Sequence, residues 1–230
     1  MATRPDVVFF RSPNFGYPAL QAGRGDQQIV AIVDHIAQGT AAGLDAWFQN
    51  PASRVSAHFA VMRDGRIHQY VEELNAAWHA GGLNRPDTLL PWLQTGDAGR
   101  TVNQRTVGIE HEGYYTAPLT AAQTAATIAL HRYLISQYDI APDQDHIIGH
   151  YRLDTMNRKN CPGPAFPWEA LFAALTGEVG GMTEQEKLEL LQALDVIWGW
   201  SVYLENLREN QAVKELRDAV VAIKRITALE

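Results

Sequence analysis

One cysteine and two histidines stand out as residues that can do chemistry. Cys161 is the only cysteine in the 230 residues, and it lies in the stretch RKNCPGPAFPW, residues 158–168. His35 follows an apolar run, and His150 ends the short segment HIIGH. Zinc prefers thiolate and imidazole ligands, and a catalytic zinc site uses three protein ligands so that a fourth position holds water. The three residues are therefore candidates for a hydrolytic zinc site.

Cys161 by itself has three interpretations: a buried filler, a nucleophile or a metal ligand. A single cysteine forms no internal disulfide. A nucleophile needs a partner base and an adaptable approach to substrate, whereas Pro162 and Pro164 fix much of the surrounding backbone. A rigid loop suits a metal ligand better. The spacing from His150 to Cys161 matches no short zinc motif, however, and eight histidines make accidental triples easy to propose. Spacing alone leaves the alternatives open.

Composition limits the classes of function. A chain of 230 residues with 46% hydrophobic side chains can bury a full core, which predicts one main domain plus an appendage. The net charge of −7 disfavours a broad surface for nucleic acid or acidic membrane. No apolar run reaches the length of about 18 residues that membrane insertion requires. The N-terminus lacks the apolar core of a secretory signal, so we expect synthesis and residence in the cytoplasm.

Strands are predicted at three places, and a short apolar run lies at a fourth. His35 and Glu110 lie at the ends of two of the strands, and His150 ends the apolar run. Residues 30–33 form a mostly β-branched run, typical of a buried strand that leads to His35. Residues 54–71 hold two β-rich runs on either side of Asp64 and Gly65, which indicates a hairpin. TVGIE, residues 106–110, predicts a strand that ends in a glutamate, and HIIGH, residues 146–150, is a short apolar run that leads into the cysteine loop.

Helices are predicted between these strands. Residues 43–51 form a short helix that Pro51 stops, and residues 166–175 close the domain as a helix. A longer helix over 120–138 carries its apolar residues at helical spacing, namely Ala121, Ala125, Ile128, Leu130, Leu134 and Ile135. Residues 80–104, rich in Gly, Pro, Asn and Asp, predict a long surface excursion. Together these elements predict an α/β fold with a central mixed β-sheet flanked by helices, followed by a C-terminal helical segment.

Eight segments occur in the order found in one known family, and they cover residues 10–175: SPNF, IVDH, WFQNP, SAHFAVMRDGRIHQYV, AWHAGG, TVGIEHEGY, IIGHYRL and KNCPGPAFPW. They resemble the zinc-dependent N-acetylmuramoyl-L-alanine amidases of type 2. That family includes phage endolysins and wall-recycling amidases, and it shares its fold with peptidoglycan recognition proteins. The resemblance implies a hydrolase that cleaves the amide between N-acetylmuramic acid and L-alanine of the peptidoglycan stem peptide.

The resemblance also implies roles for individual residues. Carried over position by position, the Zn²⁺ ligands fall on His35, His150 and Cys161. Glu110 matches the general base, which takes a proton from the attacking water and returns it to the departing alanine nitrogen. Lys159 matches a lysine that stabilises the oxyanion of the tetrahedral intermediate.

Other side chains have competing interpretations. Glu112 lies two residues after Glu110 on the same strand face and competes for the role of base. His79 and Trp78 are expected to contact substrate, although loop-bonded or core positions are the alternatives. His58 is expected to be a satisfied core histidine. Trp92 can stack on a sugar, but burial in the core is the commoner fate of tryptophan. No role is predicted for His68, His111, His131 and His146.

Two readings compete with the enzyme: a peptidoglycan-binding module that does not cut, and a protein whose helical tail carries the main function. The resemblance places the zinc amidase domain at 1–176, a linker at 177–182 and a helical tail at 183–230. Thr183 and Glu186 form a capping box, and the tail's Leu, Val and Ile at 3–4 spacing favour a homo-oligomer or a small wall-targeting bundle. The N-terminus shows no secretory signal, yet the implied substrate is the cell wall. This combination fits a bacteriolytic, antimicrobial phage endolysin that acts on the cell wall after release and causes host cell lysis. A cytosolic recycling amidase is the alternative.

Overall fold

A computed structural model describes residues 2–16, 23–25, 27–94, 99–177 and 218–221 of the chain. The chain divides into two compact units, Met1–Glu178 and Val179–Glu230. Of the predicted tail at 183–230, only a helical stretch at 218–221 is described. The capping box at Thr183 and Glu186 and almost all of the linker lie outside the described residues, so the domain boundaries stay a prediction.

A six-stranded sheet forms the centre of the first unit, in the order β1-β4-β3-β5-β2-β6. Only β3 and β4 run antiparallel; the other paired strands are parallel. This confirms the predicted mixed sheet. The strands are β1 Val7–Phe9, β2 Ala31–Asp34, β3 Phe59–Val61, β4 Ile67–Gln69, β5 Thr106–His111 and β6 Ile147–Gly149.

Four α-helices flank the sheet within the described part of the chain: α1 Ala41–Gln49, α2 Gly99–Arg105, α3 Ala121–Tyr138 and α4 Trp168–Thr176. Thr120 caps α3, because its hydroxyl accepts from the Gln123 amide while the Gln123 side chain returns to the Thr120 amide. The short helix predicted before Pro51 is confirmed as α1, and Pro51 opens a 3₁₀ turn after it. None of the described helices has the length and apolar character that a bilayer span needs.

The hairpin prediction is confirmed by the pairing of β3 with β4. Phe59 lies opposite Gln69 and Val61 opposite Ile67. Gly65 in the turn has a φ of 88°, a region that favours glycine because it has no Cβ. The Asp64-Gly65 dipeptide therefore carries the turn that its sequence indicates.

The buried face of α3 differs from the apolar face predicted for it. Leu130 and Leu134 are buried as predicted, whereas Ala121 and Ala125 are exposed and the helix also buries Gln123, Thr127 and His131. Gln123, for example, donates to the Val61 and Glu112 carbonyl oxygens. The prediction followed the spacing of apolar residues and was wrong at these positions. The sheet supplies hydrogen-bond partners for amide, hydroxyl and imidazole groups, so their burial on this helix is favourable.

Only part of the segment 80–104 is the surface excursion that its composition predicts. Residues 81–89 are exposed or half-buried, as expected, but the segment also reaches the core. It contains α2, and Leu90 is 1% exposed while Trp92 is 8% exposed. Both pack in a core cluster with Val102 and Leu153. The Trp92 indole donates to the Asp145 carbonyl oxygen. This tryptophan is therefore a core residue, the more common of the two alternatives given for it above.

Alternation along the strands sends consecutive side chains to opposite faces of the sheet. Val107 and Ile109 of β5 face α3 and pack with Leu130 and Leu134. Gly108 and Glu110 therefore face the other side, where the side chains of His35 and His79 lie. This face and the carboxyl ends of the parallel strands carry the candidate site.

Candidate active site

Three strand ends bring the candidate residues to one edge of the sheet. His35 follows β2 directly, Glu110 lies at the end of β5, and His150 follows β6. β2 pairs in parallel with both β5 and β6, so their carboxyl ends meet at the same edge. In open α/β sheets, ligands bind in the crevice outside those carboxyl ends.

The cysteine loop is fixed to the same edge by backbone contacts. The Cys161 amide donates to the Arg158 carbonyl oxygen at 2.9 Å, and its own carbonyl oxygen accepts from the Tyr151 amide at 3.0 Å. Gly163 has a φ of 123°, and a Cβ there would lie 2.5 Å from the Tyr115 carbonyl oxygen. Glycine is thus required for the loop to approach the segment that follows β5.

His35, His150 and Cys161 meet at one point. Nδ1 of His35 lies 3.0 Å from Nδ1 of His150, and Sγ of Cys161 lies 3.9 Å from Nδ1 of His35. The three donor atoms lie within 4.8 Å of one another. The two imidazoles are 2% and 5% exposed, so a bound ion would be largely shielded from solvent.

The far side of His150 shows which of its ring nitrogens is free. Nε2 lies 3.1 Å from the Ala80 carbonyl oxygen, which can only accept a hydrogen bond. Nε2 therefore carries the proton of the neutral ring. Nδ1 is left with a lone pair that faces His35, as expected of an imidazole oriented to bind a metal.

Burial decides the charge state of the three donors. Burial, followed by the charge of a protonated His150, holds the pKa of His35 well below its ordinary value, and burial lowers the pKa of His150 to about 4. Burial, followed by the Glu110 charge, raises the pKa of the Cys161 thiol to about 12. Two neutral imidazoles and a thiol that converge in this way fit a thiophilic cation such as zinc, whose charge would favour the thiolate.

Glu110 is the carboxylate left available at this site. Its Oε2 is buried and has no hydrogen-bond partner among the residues that the structure describes. Burial raises the pKa of Glu110 to about 8, and the charge of Arg158 opposes that rise. Glu112, the competing carboxylate, instead accepts from the amides of Ala41 and Arg63, at 2.9 Å and 2.8 Å. It holds the start of α1 and the hairpin in place.

Arg158 is a cation of the site that the sequence reasoning missed. Its charge acts on the pKa values of four site residues, His35, Glu110, His150 and Cys161. The predicted Lys159 side chain is exposed and does not contribute to any of these four shifts. In the sequence, Arg158 directly precedes Lys159, but the resemblance to the family assigned a role only to the lysine.

His79 contacts the His35 ring at the nitrogen that does not face His150, and Trp78 directly precedes His79 in the chain. Nδ1 of His79 is 3.1 Å from Nε2 of His35, and Nε2 of His79 is 3.1 Å from the Thr106 hydroxyl oxygen. Both ring nitrogens are thus engaged within the protein, and the residue is only 8% exposed. The Trp78 indole donates to the Gly16 carbonyl oxygen at 2.8 Å. Substrate contact by either residue stays a prediction; the position of His79 favours a role in orienting His35.

The remaining histidines lie outside this group of donors. His58 is fully buried and accepts from the Gly108 amide at 2.9 Å, which confirms a satisfied core histidine. His111 faces α3, where its Nε2 lies 3.1 Å from the Thr127 hydroxyl oxygen, and His131 belongs to α3, with its Nε2 3.1 Å from Oδ2 of the buried Asp34. Sequence spacing gave no sign of this buried Asp–His pair, because its members lie 97 positions apart.

Comparison with known proteins agrees with the geometry. The family model for N-acetylmuramoyl-L-alanine amidase matches residues 25–164. N-acetylmuramoyl-L-alanine amidase A of Achromobacter lyticus is 29% identical over 172 residues, which cover 66% of this chain and 86% of that protein. The 1,6-anhydro-N-acetylmuramyl-L-alanine amidase AmpD of Salmonella typhimurium is 39% identical over 115 residues, covering 50% of this chain and 54% of that protein.

Among solved structures, the crystal structure of a selenomethionine derivative of AmpD superposes with a TM-score of 0.58. It is 27% identical in sequence and covers 76% of this chain and 96% of that one. The chain spans only about half the length of the AmpD relative that it matches in sequence. The family match covers the strands that carry His35, Glu110 and His150 and the loop that carries Cys161. The chain belongs to the type 2 N-acetylmuramoyl-L-alanine amidase family.

Proposed function

We propose that this chain is a zinc-dependent amidase that hydrolyses the amide between N-acetylmuramic acid and L-alanine of peptidoglycan. The observation that carries the proposal is the convergence of His35, His150 and Cys161 within 4.8 Å, at the sheet edge that also holds Glu110. The family assignment supplies the bond that is cut.

His35, His150 and Cys161 would hold the zinc, each through one donor atom. Two nitrogens and one sulfur form a set of three protein ligands, which is the number that catalytic zinc sites use. Zinc, when bound, would polarise the scissile carbonyl and lower the pKa of its water to about 7. Nε2 of His150 donates to the Ala80 carbonyl oxygen and keeps the ring in the orientation that binding needs.

Glu110 acts as the general base in this proposal. Its carboxylate takes a proton from the attacking water and then delivers it to the departing alanine nitrogen. A pKa of about 8 in the metal-free protein matches this shuttle, because the group can both accept and donate a proton near neutral pH. Its buried, unpartnered Oε2 leaves an acceptor available for the water.

A cation beside the site would stabilise the negative oxygen of the tetrahedral intermediate. Resemblance assigns that role to Lys159, and the proximity of charge adds Arg158 as a second candidate. Preorganised positive charge at the developing oxyanion is a large contributor to catalysis of acyl transfer. We propose that Lys159 stabilises the oxyanion and that the charge of Arg158 lowers the pKa of Glu110.

The biological setting is proposed as cell-wall lysis by a phage endolysin. The 39% identity to a 1,6-anhydro-N-acetylmuramyl-L-alanine amidase favours a second candidate, in which the chain recycles soluble anhydro-muropeptides. Digestion of intact peptidoglycan sacculi and of a purified anhydro-muropeptide, side by side, distinguishes the two. An endolysin releases alanine amino termini from sacculi at a rate comparable to that from the small substrate, whereas a recycling enzyme acts on the small substrate alone.

The decisive experiment for the activity combines metal content with product chemistry. The purified chain is expected to hold about one zinc ion and to release new alanine amino termini from peptidoglycan without new reducing sugar ends. His35→Ala, His150→Ala and Cys161→Ala should lose zinc and activity together, whereas His146→Ala, at a histidine paired with Asp143 outside the site, should keep both. A Cys161→Ala protein with full zinc content would exclude the ligand assignment, and a zinc-loaded wild type that binds peptidoglycan without cutting it would be a recognition module.

A further inference from the structure

The hydrogen bonds behind the two metal-facing imidazoles form a connected set. We propose that Thr106, His79 and Ala80 fix the tautomers of His35 and His150, so that both Nδ1 lone pairs face one point before a metal binds. The inference rests on the proposed function only in taking His35 and His150 as zinc ligands. Thr106 and His79 are positioning residues in this proposal, because they act through His35.

The direction of the first bond follows from a carbonyl group. The Thr106 hydroxyl lies 2.8 Å from the Val102 carbonyl oxygen, which accepts but cannot donate. The single hydroxyl proton of the fully buried Thr106 is therefore committed to Val102. Its oxygen can only accept from Nε2 of His79, 3.1 Å away. His79 must then carry its proton on Nε2.

The hydrogen bond between His79 and His35 determines which nitrogen of the His35 ring carries its proton. Because the proton of His79 is on Nε2, its Nδ1 has a lone pair, and Nδ1 lies 3.1 Å from Nε2 of His35. His35 therefore donates from Nε2 and leaves its own Nδ1 without a proton. A carbonyl on the last turn of α2 thus decides, through two side chains, which nitrogen of His35 is available.

The same short segment orients the other imidazole. The Ala80 carbonyl oxygen accepts from Nε2 of His150 at 3.1 Å, which leaves Nδ1 of His150 free as well. Oδ1 of Asn103 accepts from the amides of both His79 and Ala80, at 3.2 Å and 2.8 Å. The Asn103 side chain of α2 therefore holds the backbone of His79 and Ala80, the two residues that orient the rings of His35 and His150.

The packing leaves little room for other arrangements of His79. A Cβ on Gly108 would lie 2.3 Å from Cγ of His79, so the absence of a side chain at this position makes space for the ring. With both rings fixed, two Nδ1 lone pairs face each other across 3.0 Å with no proton between them. That arrangement is repulsive until a cation sits there, so the network predisposes the site to bind metal.

Paired substitutions at Thr106 test the proposal with little change in shape. Thr106→Val removes the hydroxyl, and Thr106→Ser keeps it. We expect Thr106→Val to weaken zinc binding by about 10- to 100-fold, as measured by competition with a chromophoric chelator, because outer partners of metal-bound histidines have effects of that size. Thr106→Ser should bind zinc nearly as tightly as the wild type.

Ring-proton NMR on the metal-free protein reports the tautomers directly. Long-range ¹H–¹⁵N spectra of the wild type should show His35, His79 and His150 protonated on Nε2. In Thr106→Val, the Nε2-protonated tautomer of His79 and of His35 should lose population, although the Thr106 backbone carbonyl still accepts from His79, while His150, held by Ala80, keeps its single tautomer. A purely structural role for Thr106 would lower thermal stability without this selective change.

A second pair of variants gives an independent test. His79→Asn and His79→Leu have similar shapes, but only asparagine retains an acceptor near Nδ1. Zinc binding should be weaker in His79→Leu than in His79→Asn. Equal zinc affinity within both pairs, with ring protons unchanged in Thr106→Val, would overturn the proposal and leave the proposed function intact. If the wild type bound no zinc, the proposed function would fail, while the spectra of the metal-free protein would still decide the tautomers.

Discussion

Glu110 and Glu112 lie two residues apart on the same side of one chain segment, yet their carboxylates have opposite surroundings. Both oxygens of Glu112 accept from backbone amides, whereas Oε2 of Glu110 is buried without a partner. A carboxylate whose oxygens are both engaged has little capacity to receive a proton from water. The structure therefore separates a structural glutamate from a chemically available one.

Substitution of each glutamate by glutamine tests this separation. Glu110→Gln should keep its zinc and lose turnover by about 100-fold or more, because a general base contributes about 10²–10⁴-fold. Glu112→Gln should instead keep kcat and lose about 1–3 kcal/mol of unfolding free energy, because its amide NH₂ would face a backbone N–H. Zinc content, kcat and urea denaturation of both variants give the comparison, and loss of turnover in Glu112→Gln alone would reverse the assignment.

Arg158 and Lys159 are expected to differ in their effect on Glu110. The positive charge of Arg158 favours the carboxylate and opposes the burial that raises the pKa of Glu110 to about 8. Arg158→Met should therefore raise the pKa of Glu110 further, since the charged form loses its stabilising partner. ¹³C NMR titration of the Glu110 carboxyl in zinc-free protein measures this shift.

Lys159→Met is the matched control, because it removes an adjacent cation of similar length. It should leave the titration of Glu110 unchanged and lower kcat in the zinc-loaded enzyme, as expected of an oxyanion helper. An equal shift of Glu110 in both variants would show that the two cations act on it alike.

Gly108 and Gly82 offer a matched test of the space around His79. A Cβ on Gly108 would lie 2.3 Å from the His79 ring, whereas nothing lies within 4 Å of a Cβ on Gly82. Gly108→Ala should cost about 1–3 kcal/mol of unfolding free energy through overpacking. Gly82→Ala should stay within about 0.5 kcal/mol of the wild type, as surface substitutions do. Urea denaturation of the zinc-free proteins measures both, and equal stability of the two variants would show that His79 moves aside without cost.

The buried pair of Asp34 and His131 predicts a pH-dependent stability. Burial of His131 opposes protonation, but the charge and hydrogen bond of Asp34, together with the Thr127 carbonyl, raise the pKa of His131. A raised folded-state pKa stabilises the fold below the unfolded value of about 6.5, and the contribution is lost as pH rises through the folded-state pKa.

His131→Leu should therefore cost more at low pH than at high pH. The loss of unfolding free energy should approach about 3–5 kcal/mol near pH 6, because the buried Asp34 loses its nearest partner and keeps only His111, whose Nε2 lies 3.9 Å from Oδ1 of Asp34. The difference in unfolding free energy between variant and wild type should narrow as the pH rises through the folded-state pKa of His131. His146→Leu, at a residue paired with Asp143 away from the core, serves as the control. A gap that does not change with pH would exclude a charged His131.

Much of the fold could be predicted from local patterns. β-Branched runs without alternation identified the strand before His35, and Asp64-Gly65 identified the hairpin, because backbone preferences over a few residues decide those elements. The surface excursion predicted at 80–104 was right for residues 81–89 and wrong for Leu90 and Trp92, since composition does not reveal that these two side chains reach the core. The apolar face of α3 was wrong for the same reason: the partners of Gln123 and His131 lie far away in the chain.

The sequence by itself determined the chemical types: two imidazoles and one thiol at the ends of strands and in a rigid loop, with a glutamate at the end of the strand between them. Only the tertiary structure decided how they are used. It engaged Glu112 and left Glu110 available, it made the charge of Arg158 rather than that of Lys159 act on the pKa of Glu110, and it placed His79 behind His35. The physical reason is that a side chain's proton affinity and tautomer depend on burial and on hydrogen-bond partners, and folding alone brings those partners together from distant parts of the chain.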